Sequence, residues 1–235
     1  DQYRPPPLPD KFTVWPRCTC RPPIDVVRIN ADNGAQLYHV YSRRSKTKSP
    51  GVNYTVAAEA LHSALFTCDV YNALWGGPEL SVAAFSLYGT VAFYYTLLPN
   101  ISALYKQSET LAKWRIRLYH NIQRSTSKSK LCELECLPAG NVDTCNVEAL
   151  PLPPLSVVVG SGQHCYWNAS YMHAMTWRWL PLGDSFVARA AFRDTDVTVS
   201  VRELDSVREW LSSNTLFHVM RGTTAVLTNM QHTNK

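Results

Sequence analysis

The sequence predicts an α+β fold with a helix-rich N-terminal half and a buried apolar central helix. Apolar residues recur at three- and four-residue steps through residues 54–75, and a run without charged side chains follows between Glu79 and Lys106. These patterns are typical of an amphipathic helix and of a helix that is apolar on every face. Short runs bounded by turn residues predict small antiparallel strand clusters near the N-terminus and in the C-terminal third.

The first 23 residues form the predicted arm. They contain seven prolines, which fix φ and remove backbone donors, so residues 1–23 are expected to be extended and to pack along a neighbouring surface. Residues 26–30 and 36–41 then predict two strands. The turn between them contains Asn33 followed by Gly34, which is a strong hairpin signal.

Three helices are predicted after the hairpin. The first covers residues 54–75. The second, residues 79–106, is long enough to cross a bilayer, but its serines and threonines and the amphipathic helix before it favour burial inside protein. The third begins at Ser108 as N-cap and ends near Arg124, with basic side chains on its outer face. The second of these helices is therefore expected to be buried in protein and not to insert in a membrane.

A proline-rich segment, residues 148–155, is the predicted linker between two parts of the chain. Before it lies a helical core, residues 24–147, which includes the hairpin. After it lies an α+β part, residues 156–235. The alternative is one continuous domain from residue 24 to residue 235.

The C-terminal part is predicted to alternate short strands with one helix. Residues 156–159 and 197–201 predict strands, and residues 204–212 predict a short helix with one apolar side. Residues 216–220 and 224–227 predict a further pair of strands.

Charged residues are scarce. They make up 17% of the chain while hydrophobic residues make up 46%, against an ordinary charged share of about 25%. Because a free-standing protein usually keeps a well-charged exterior, this composition indicates a surface that is covered by copies of the chain or by other subunits.

Two basic segments are candidate nucleic-acid contacts, because lysine and arginine neutralise phosphates. The alternative interpretation is a pair of solvated loops and a solvated helix face, since runs of charge usually only solvate. The candidates are Arg43, Arg44, Lys46, Lys48, Lys113, Arg115, Arg117, Arg124, Lys128 and Lys130.

The seven cysteines make an odd count, so at least one thiol stays free or pairs outside the chain. Cys132, Cys136, Cys145 and Cys165 form a possible thiol or disulfide cluster. A metal site built from Cys132, Cys136, Cys145 and either His164 or Cys165 is not expected, because their spacings differ from the paired C-x2-C pattern of zinc sites. Buried thiols or local disulfides are favoured instead.

Three sequons, at Asn53, Asn100 and Asn168, are possible glycosylation sites and would suit a secreted glycoprotein together with the cysteines. Two of them lie against apolar segments, where a glycan is awkward to place. The favoured expectation is a reduced, unglycosylated protein.

The sequence contains no recognisable catalytic signature. Ser161 lies near His164 after an apolar run, but the glycines around it do not form G-x-S-x-G. Cys165 stands where a G-x-G-x-x-G motif needs its third glycine, so a dinucleotide site is not supported. We therefore expect neither an enzyme nor a cofactor, and no small-molecule substrate.

These observations favour a structural self-assembly protein, such as a viral capsid or coat protein or a fragment of one. Its expected partners are copies of itself or sister subunits, with viral RNA as a further partner, in the virion or the host cytoplasm. The Trp177, Arg178 and Trp179 triplet is expected in a core or a subunit interface. The alternative is a secreted or viral envelope glycoprotein that binds a receptor or partner subunit.

Overall fold

The structure is a computed structural model, and it describes residues 7–43, 51–89, 92–122, 125–152, 155–160 and 166–220. Helices make up 31% and strands 28%, and strands dominate the N-terminus. The predicted helix-rich N-terminal half is therefore wrong.

The described strands and helices alternate along most of the chain. The strands are β1 (Lys11–Val14), β2 (Ile24–Asn30), β3 (Gln36–Ser42), β4 (Asn53–Ala57), β5 (Leu80–Leu87), β6 (Arg115–His120), β7 (Val142–Asn146), β8 (Leu150–Pro151), β9 (Tyr166–Trp167) and β10 (Val187–Arg193). The helices are α1 (Ala58–His62), α2 (Val70–Gly76), α3 (Ala92–Gln107), α4 (Ser125–Glu135), α5 (Leu155–Gly160) and α6 (Val201–Ser212), with a 3-10 helix at Ala174–Gly183.

The first four strands form an antiparallel sheet in the order β1-β2-β3-β4. The predicted hairpin is present, because β2 pairs with β3 from Ile24 opposite Ser42 to Asn30 opposite Gln36. Gly34 in its turn has φ of +80°, which glycine adopts without strain. The described part of the arm lies on the protein itself, since β1 pairs with β2.

The second sheet is parallel and has the order β10-β5-β6-β7. The chain passes from β5 to β6 through α3 and from β6 to β7 through α4, as parallel neighbours require. It then returns to the other side of β5, where β10 pairs in parallel with β5.

The two faces of the parallel sheet are covered by different elements. On one face, Phe85 and Ile116 pack with Leu98 of α3, and the apolar side of α6 packs against the same cluster. On the other face, Tyr119 packs with Trp177 of the 3-10 helix. The connection from β7 to β10 therefore crosses to the face opposite α3.

The predicted central helix is wrong, because residues 79–106 fold as β5 followed by α3. A strand of a parallel sheet is buried on both faces, so its sequence is a continuous apolar run that resembles a buried helix. Gly89, with φ of +78°, follows the end of β5. Among the described residues, no helix combines the length and apolar character that a membrane span requires.

The other predicted helices are also corrected. Residues 54–75 form β4, α1 and α2, while residues 108–124 contain β6, which is central in the parallel sheet. Residues 156–159 belong to α5, although they were predicted as a strand. The predicted helix at 204–212 is confirmed as part of α6.

The remaining predicted strands lie in the C-terminal part of the chain. Residues 197–201 and 216–220 contain no strand in the structure, whereas Val187–Arg193 does. The predicted strand at 224–227 lies outside the described residues.

Candidate functional site

The strand order of the parallel sheet reverses between β5 and β10. The chain moves from β5 outward to β7 on one side, and then adds β10 on the other side. In open α/β sheets, ligands commonly bind beyond the carboxyl ends of the strands, at a reversal of strand order. The carboxyl ends of β5 and β10 therefore mark the candidate site.

Two carboxylates follow β10 at this edge, on Asp194 and Asp196. The register pairs Arg193 with Phe85, so both aspartates lie near the carboxyl end of β5. The side chain of Asp194 is 60% exposed, and Asp196 is exposed as well. Both carboxylates can therefore reach a ligand from solvent.

Arg178 adds a positive charge beside these carboxylates. Its guanidinium forms an ion pair with Asp194, and its Nε donates to the carbonyl oxygen of Met175 at 3.1 Å. Its backbone N–H donates to Ser86 Oγ at 3.0 Å, which fixes the 3-10 helix against the end of β5. A guanidinium held in this way can bind a phosphate through two hydrogen bonds.

His120 ends β6, the neighbouring strand. Its Nδ1 accepts the Ile122 N–H at 3.1 Å, and its Nε2 is buried with no partner among the described residues. Burial, together with the positive charge of Arg17, lowers the pKa of His120 to about 3. The imidazole is therefore neutral at physiological pH.

Exposed aromatic rings flank the same edge. Tyr88, directly after β5, is 41% exposed and meets the buried Trp177 edge to face. Trp179 is 50% exposed, and its ring centroid lies 4.1 Å from that of Phe192 in β10. Such rings offer flat surfaces on which a nucleobase can stack. The Trp177 indole donates to the Ala169 carbonyl oxygen, as a buried tryptophan requires.

The arrangement provides two carboxylates, one guanidinium and two aromatic surfaces. In the described part of the chain, no group of three or more His, Cys, Asp or Glu side chains is placed to hold a metal ion. Mg²⁺, however, commonly binds through one or two carboxylates and completes its coordination with substrate phosphates and water. The edge is thus suited to a phosphorylated ligand whose phosphate oxygens complete the coordination of a cation.

A cavity of about 630 Å³ lies at the opposite edge of the sheet, beside the first residues of β5, β6 and β7. Its lining includes Leu80, Arg115 and Asn141. Because ligands of open α/β sheets bind at the carboxyl ends of the strands, we assign the candidate functional site to that edge and treat this cavity separately.

The first predicted basic segment is described only at Arg43. Its guanidinium donates to both carboxylate oxygens of Asp25, at 2.8 and 2.9 Å. This hydrogen bonding lowers the pKa of the Asp25 carboxyl group. The other candidates of the segment, Arg44, Lys46 and Lys48, lie outside the described residues.

The second basic segment does not form one surface. Arg117 is fully buried and pairs with Asp184 at 2.7 Å, so it offers nothing to a nucleic acid. Arg115 donates to both oxygens of Asp143. Lys113 is exposed near the amino edge, whereas Lys130 pairs with Glu133. Arg124 lies outside the described residues, and the side chain of Lys128 is not described.

The asparagines of all three sequons are exposed: Asn53, Asn100 and Asn168. Asn53 Oδ1 lies 2.7 Å from His39 Nε2, and Asn168 Oδ1 accepts the Ser170 N–H at 2.8 Å. Exposure leaves room for a glycan at each position.

The cysteines form three disulfides, where reduced thiols or local bridges were expected. The pairs are Cys18–Cys132, Cys20–Cys136 and Cys68–Cys145. They join segments that are distant in sequence and could not be paired from local spacing. Cys165 lies outside the described residues, as do Ser161 and His164.

The first two pairs join the same two segments of the chain. Cys18 and Cys20, in a turn of the arm, pair with Cys132 in α4 and with Cys136 just after it.

Sequence reasoning missed Asp194 and Asp196. Their D-x-D spacing is visible, but it gains meaning only once the preceding residues are known to form a strand at the reversal of the sheet. The strand was predicted at 197–201 because valines alternate there, whereas β10 shows no alternation.

Comparison with protein-family models, with curated proteins and with solved structures finds no match for this chain.

Proposed function

We propose that this chain is a disulfide-bonded protein of an oxidising compartment whose parallel sheet binds a nucleoside diphosphate group at its carboxyl edge. The observation that supports this most strongly is the reversal of strand order between β5 and β10 with Asp194, Asp196 and Arg178 at that point. This proposal departs from the expectation that the chain has no small-molecule substrate.

The charges at the edge favour a diphosphate bridged by a divalent cation. Two aspartates alone repel phosphate, but a cation between them and the phosphate oxygens turns the repulsion into attraction. Arg178 can move from Asp194 to a phosphate oxygen, because the pair is open to solvent on the Asp194 side and ion pairs at the surface contribute only about 0–1 kcal/mol. Tyr88 and Trp179 can stack on the base, which is worth about 1–3 kcal/mol in single-stranded nucleic-acid complexes.

The three disulfides support the proposal that the protein belongs to an oxidising compartment. Disulfides persist in secreted proteins and in the lumen of the secretory pathway, and are rare in the cytosol. The three exposed sequon asparagines fit the same compartment, in which N-glycans are attached. Of the two hypotheses from the sequence, the glycoprotein alternative is therefore the one that we carry forward.

The test is calorimetric titration of the disulfide-intact protein with UDP, ADP and GDP in the presence of Mn²⁺. We expect at least one nucleotide to bind and Asp194→Asn to weaken that binding by about tenfold or more, because it removes a charged cation ligand. Asp205→Asn is the matched control, since Asp205 is an exposed acid on α6 that pairs with Arg208.

Two results would contradict the proposal. One is the absence of heat for all three nucleotides with Mn²⁺. The other is binding that survives both Asp194→Asn and Asp196→Asn unchanged, because the ligand would then lie elsewhere.

Self-assembly remains a prediction and is the second candidate function. Several large apolar side chains are strongly exposed, including Tyr171, Trp15 and Leu182, and such surfaces are typical of contacts with other subunits. Light scattering after size-exclusion chromatography, with and without RNA, tests it. A monomer that ignores RNA would contradict the shell hypothesis. The expectation that the chain is not an enzyme also remains a prediction.

A further inference from the structure

We propose that Cys20–Cys136 is a redox-active disulfide that exchanges with a small anionic thiol bound in the cavity at the amino edge of the parallel sheet. The proposal is independent of the nucleotide site, which lies at the other end of the strands. It follows from the different surroundings of the three disulfides and from the charges that line this cavity.

The three disulfides differ in access to solvent. Cys68 and Cys145 are fully buried. Cys18 is also buried, although its partner is half-buried. Cys136, by contrast, is exposed, Cys20 is half-buried, and both line the cavity. Because exchange requires a thiolate to reach a sulfur atom, Cys20–Cys136 is the most accessible of the three.

The cavity has the size and the charge for an anionic thiol. Its volume of about 630 Å³ falls in the range of small-molecule sites. Four cations line it, namely Arg21, Lys106, Lys113 and Arg115, against one acid, Glu135. The glutamate is already occupied, since its Oε1 accepts from Thr144 and from Asn72.

Two of the cations are available to a ligand. Arg21 and Arg115 are committed to Asp143, with distances of 3.1 and 2.5 Å. Lys106 and Lys113 are exposed and form no ion pair with any residue that the structure describes. They can therefore attract the carboxylates of a thiol such as glutathione.

The surroundings also favour one direction of attack. Because Cys136 is exposed and Cys20 is half-buried, the incoming thiolate attacks the sulfur of Cys136. Cys20 then leaves as a thiolate, and the cations that line the same cavity stabilise a thiolate there. Cys136 follows the last turn of α4, where the negative end of the helix dipole makes it the poorer leaving group.

Reduction of the protein disulfide consumes two molecules of the small thiol. Each loses a proton to solvent and becomes a thiolate. The first attacks Cys136 Sγ, forms a mixed disulfide and releases the Cys20 thiolate with the electron pair of the broken S–S bond. The second attacks the sulfur of the small thiol in the mixed disulfide and releases the Cys136 thiolate. One protein disulfide is reduced and two thiols are oxidised to their disulfide.

The test is reduction of the native protein by glutathione, with acid quenching, alkylation and mass spectrometry of each cysteine peptide. The alkylation of each cysteine peptide is also measured in a sample without glutathione, and that value is subtracted. We expect Cys20 and Cys136 to be released first, about tenfold or more faster than Cys68 and Cys145, because only the first pair is accessible. Release of Cys68 and Cys145 at the same rate would overturn the proposal.

Charge recognition is tested by the variant Lys106→Gln/Lys113→Gln, whose substitutions are both on the surface. We expect it to react about threefold or more slowly with glutathione, and to be slowed much less with 2-mercaptoethanol. Both thiols attack as thiolates, but only glutathione carries carboxylates that the lysines attract. Equal effects on both thiols, or none on either, would contradict a bound anionic thiol.

Discussion

The buried ion pair between Arg117 and Asp184 provides the sharpest test of the fold. The guanidinium and the carboxylate are both 0% exposed, and Arg117 Nη1 donates to Asp184 Oδ2 at 2.7 Å. Asp184 also accepts from the backbone N–H and the hydroxyl of Thr67, and from the Phe186 N–H. Removing either charge leaves the other buried without its counterion.

The expected loss follows from this geometry. Arg117→Met leaves the Asp184 carboxylate with its hydrogen bonds but no cation, which costs about 3–5 kcal/mol in the free energy of unfolding. At a slope of about 4 kcal/mol per molar, this lowers the midpoint of guanidinium chloride unfolding by about 1 M. Because two nitrogens of Arg117 lack partners among the described residues, Asp184→Asn should cost a similar amount.

The assay is equilibrium unfolding of the disulfide-intact protein, followed by circular dichroism. In the double variant Arg117→Met/Asp184→Asn both charges are gone, so its loss should be smaller than the sum of the single losses by about 2 kcal/mol. Arg208→Met is the control, since Arg208 and Asp205 are more than half exposed, and it should cost under about 1 kcal/mol. A loss below about 1 kcal/mol for Arg117→Met would contradict the expected cost of a buried carboxylate without its counterion.

Three further predictions follow from the disulfides, the buried histidine and the sequons. The variant Cys68→Ser/Cys145→Ser should lose about 4.5 kcal/mol of unfolding free energy, since the bridge closes a loop of 77 residues, and an unchanged urea midpoint would contradict this. His120, with its pKa lowered to about 3, stays neutral in the folded state while the unfolded chain takes up a proton below about pH 6.5, so stability falls as the pH falls. Between pH 7 and pH 5, the free energy of unfolding of His120→Asn, measured in urea, should therefore fall by about 2 kcal/mol less than that of the wild type. An equal fall in both proteins would count against a neutral buried imidazole. Protein made in a eukaryotic secretory pathway should lose mass on treatment with peptide N-glycosidase, because the sequon asparagines are exposed, and an unchanged mass would exclude glycosylation there.

The sequence predicted the elements that are encoded by residues close together in the chain. The β2–β3 hairpin has its turn residues between two short strands, and α6 has Ser200 as N-cap, whose hydroxyl accepts the Glu203 N–H. Both elements are therefore encoded within about ten neighbouring residues, as turn and capping signals are.

The parallel sheet could not be predicted in the same way. β5 is buried on both faces and reads as a continuous apolar run that also fits a helix. β6 alternates only from Arg115 to Leu118, and Leu118 also fits the helical spacing of Leu111, Trp114 and Ile122. Only pairing across the sheet distinguishes the two, and that pairing joins Phe85 to Leu118, far apart in the chain.

The candidate site depends on the same non-local information. Asp194 and Asp196 resemble any exposed acids until β10 is placed beside β5, and Arg178 reaches Asp194 only because the 3-10 helix crosses the end of β5. Seven cysteines likewise allow many pairings, and the fold of the arm across α4 selects two of the three.

The proposed nucleoside diphosphate and its cation bind where the strand order reverses. The most direct measurement is paramagnetic broadening of backbone amide signals by Mn²⁺ in the presence of the nucleotide that binds. We expect the signals of Gly89 and Asp194 to broaden, and those of Arg115 and Gly140 at the amino edge, about 20 Å away along a six-residue strand, to remain sharp. Broadening confined to the amino edge, or none at all, would contradict a nucleotide site at the carboxyl edge.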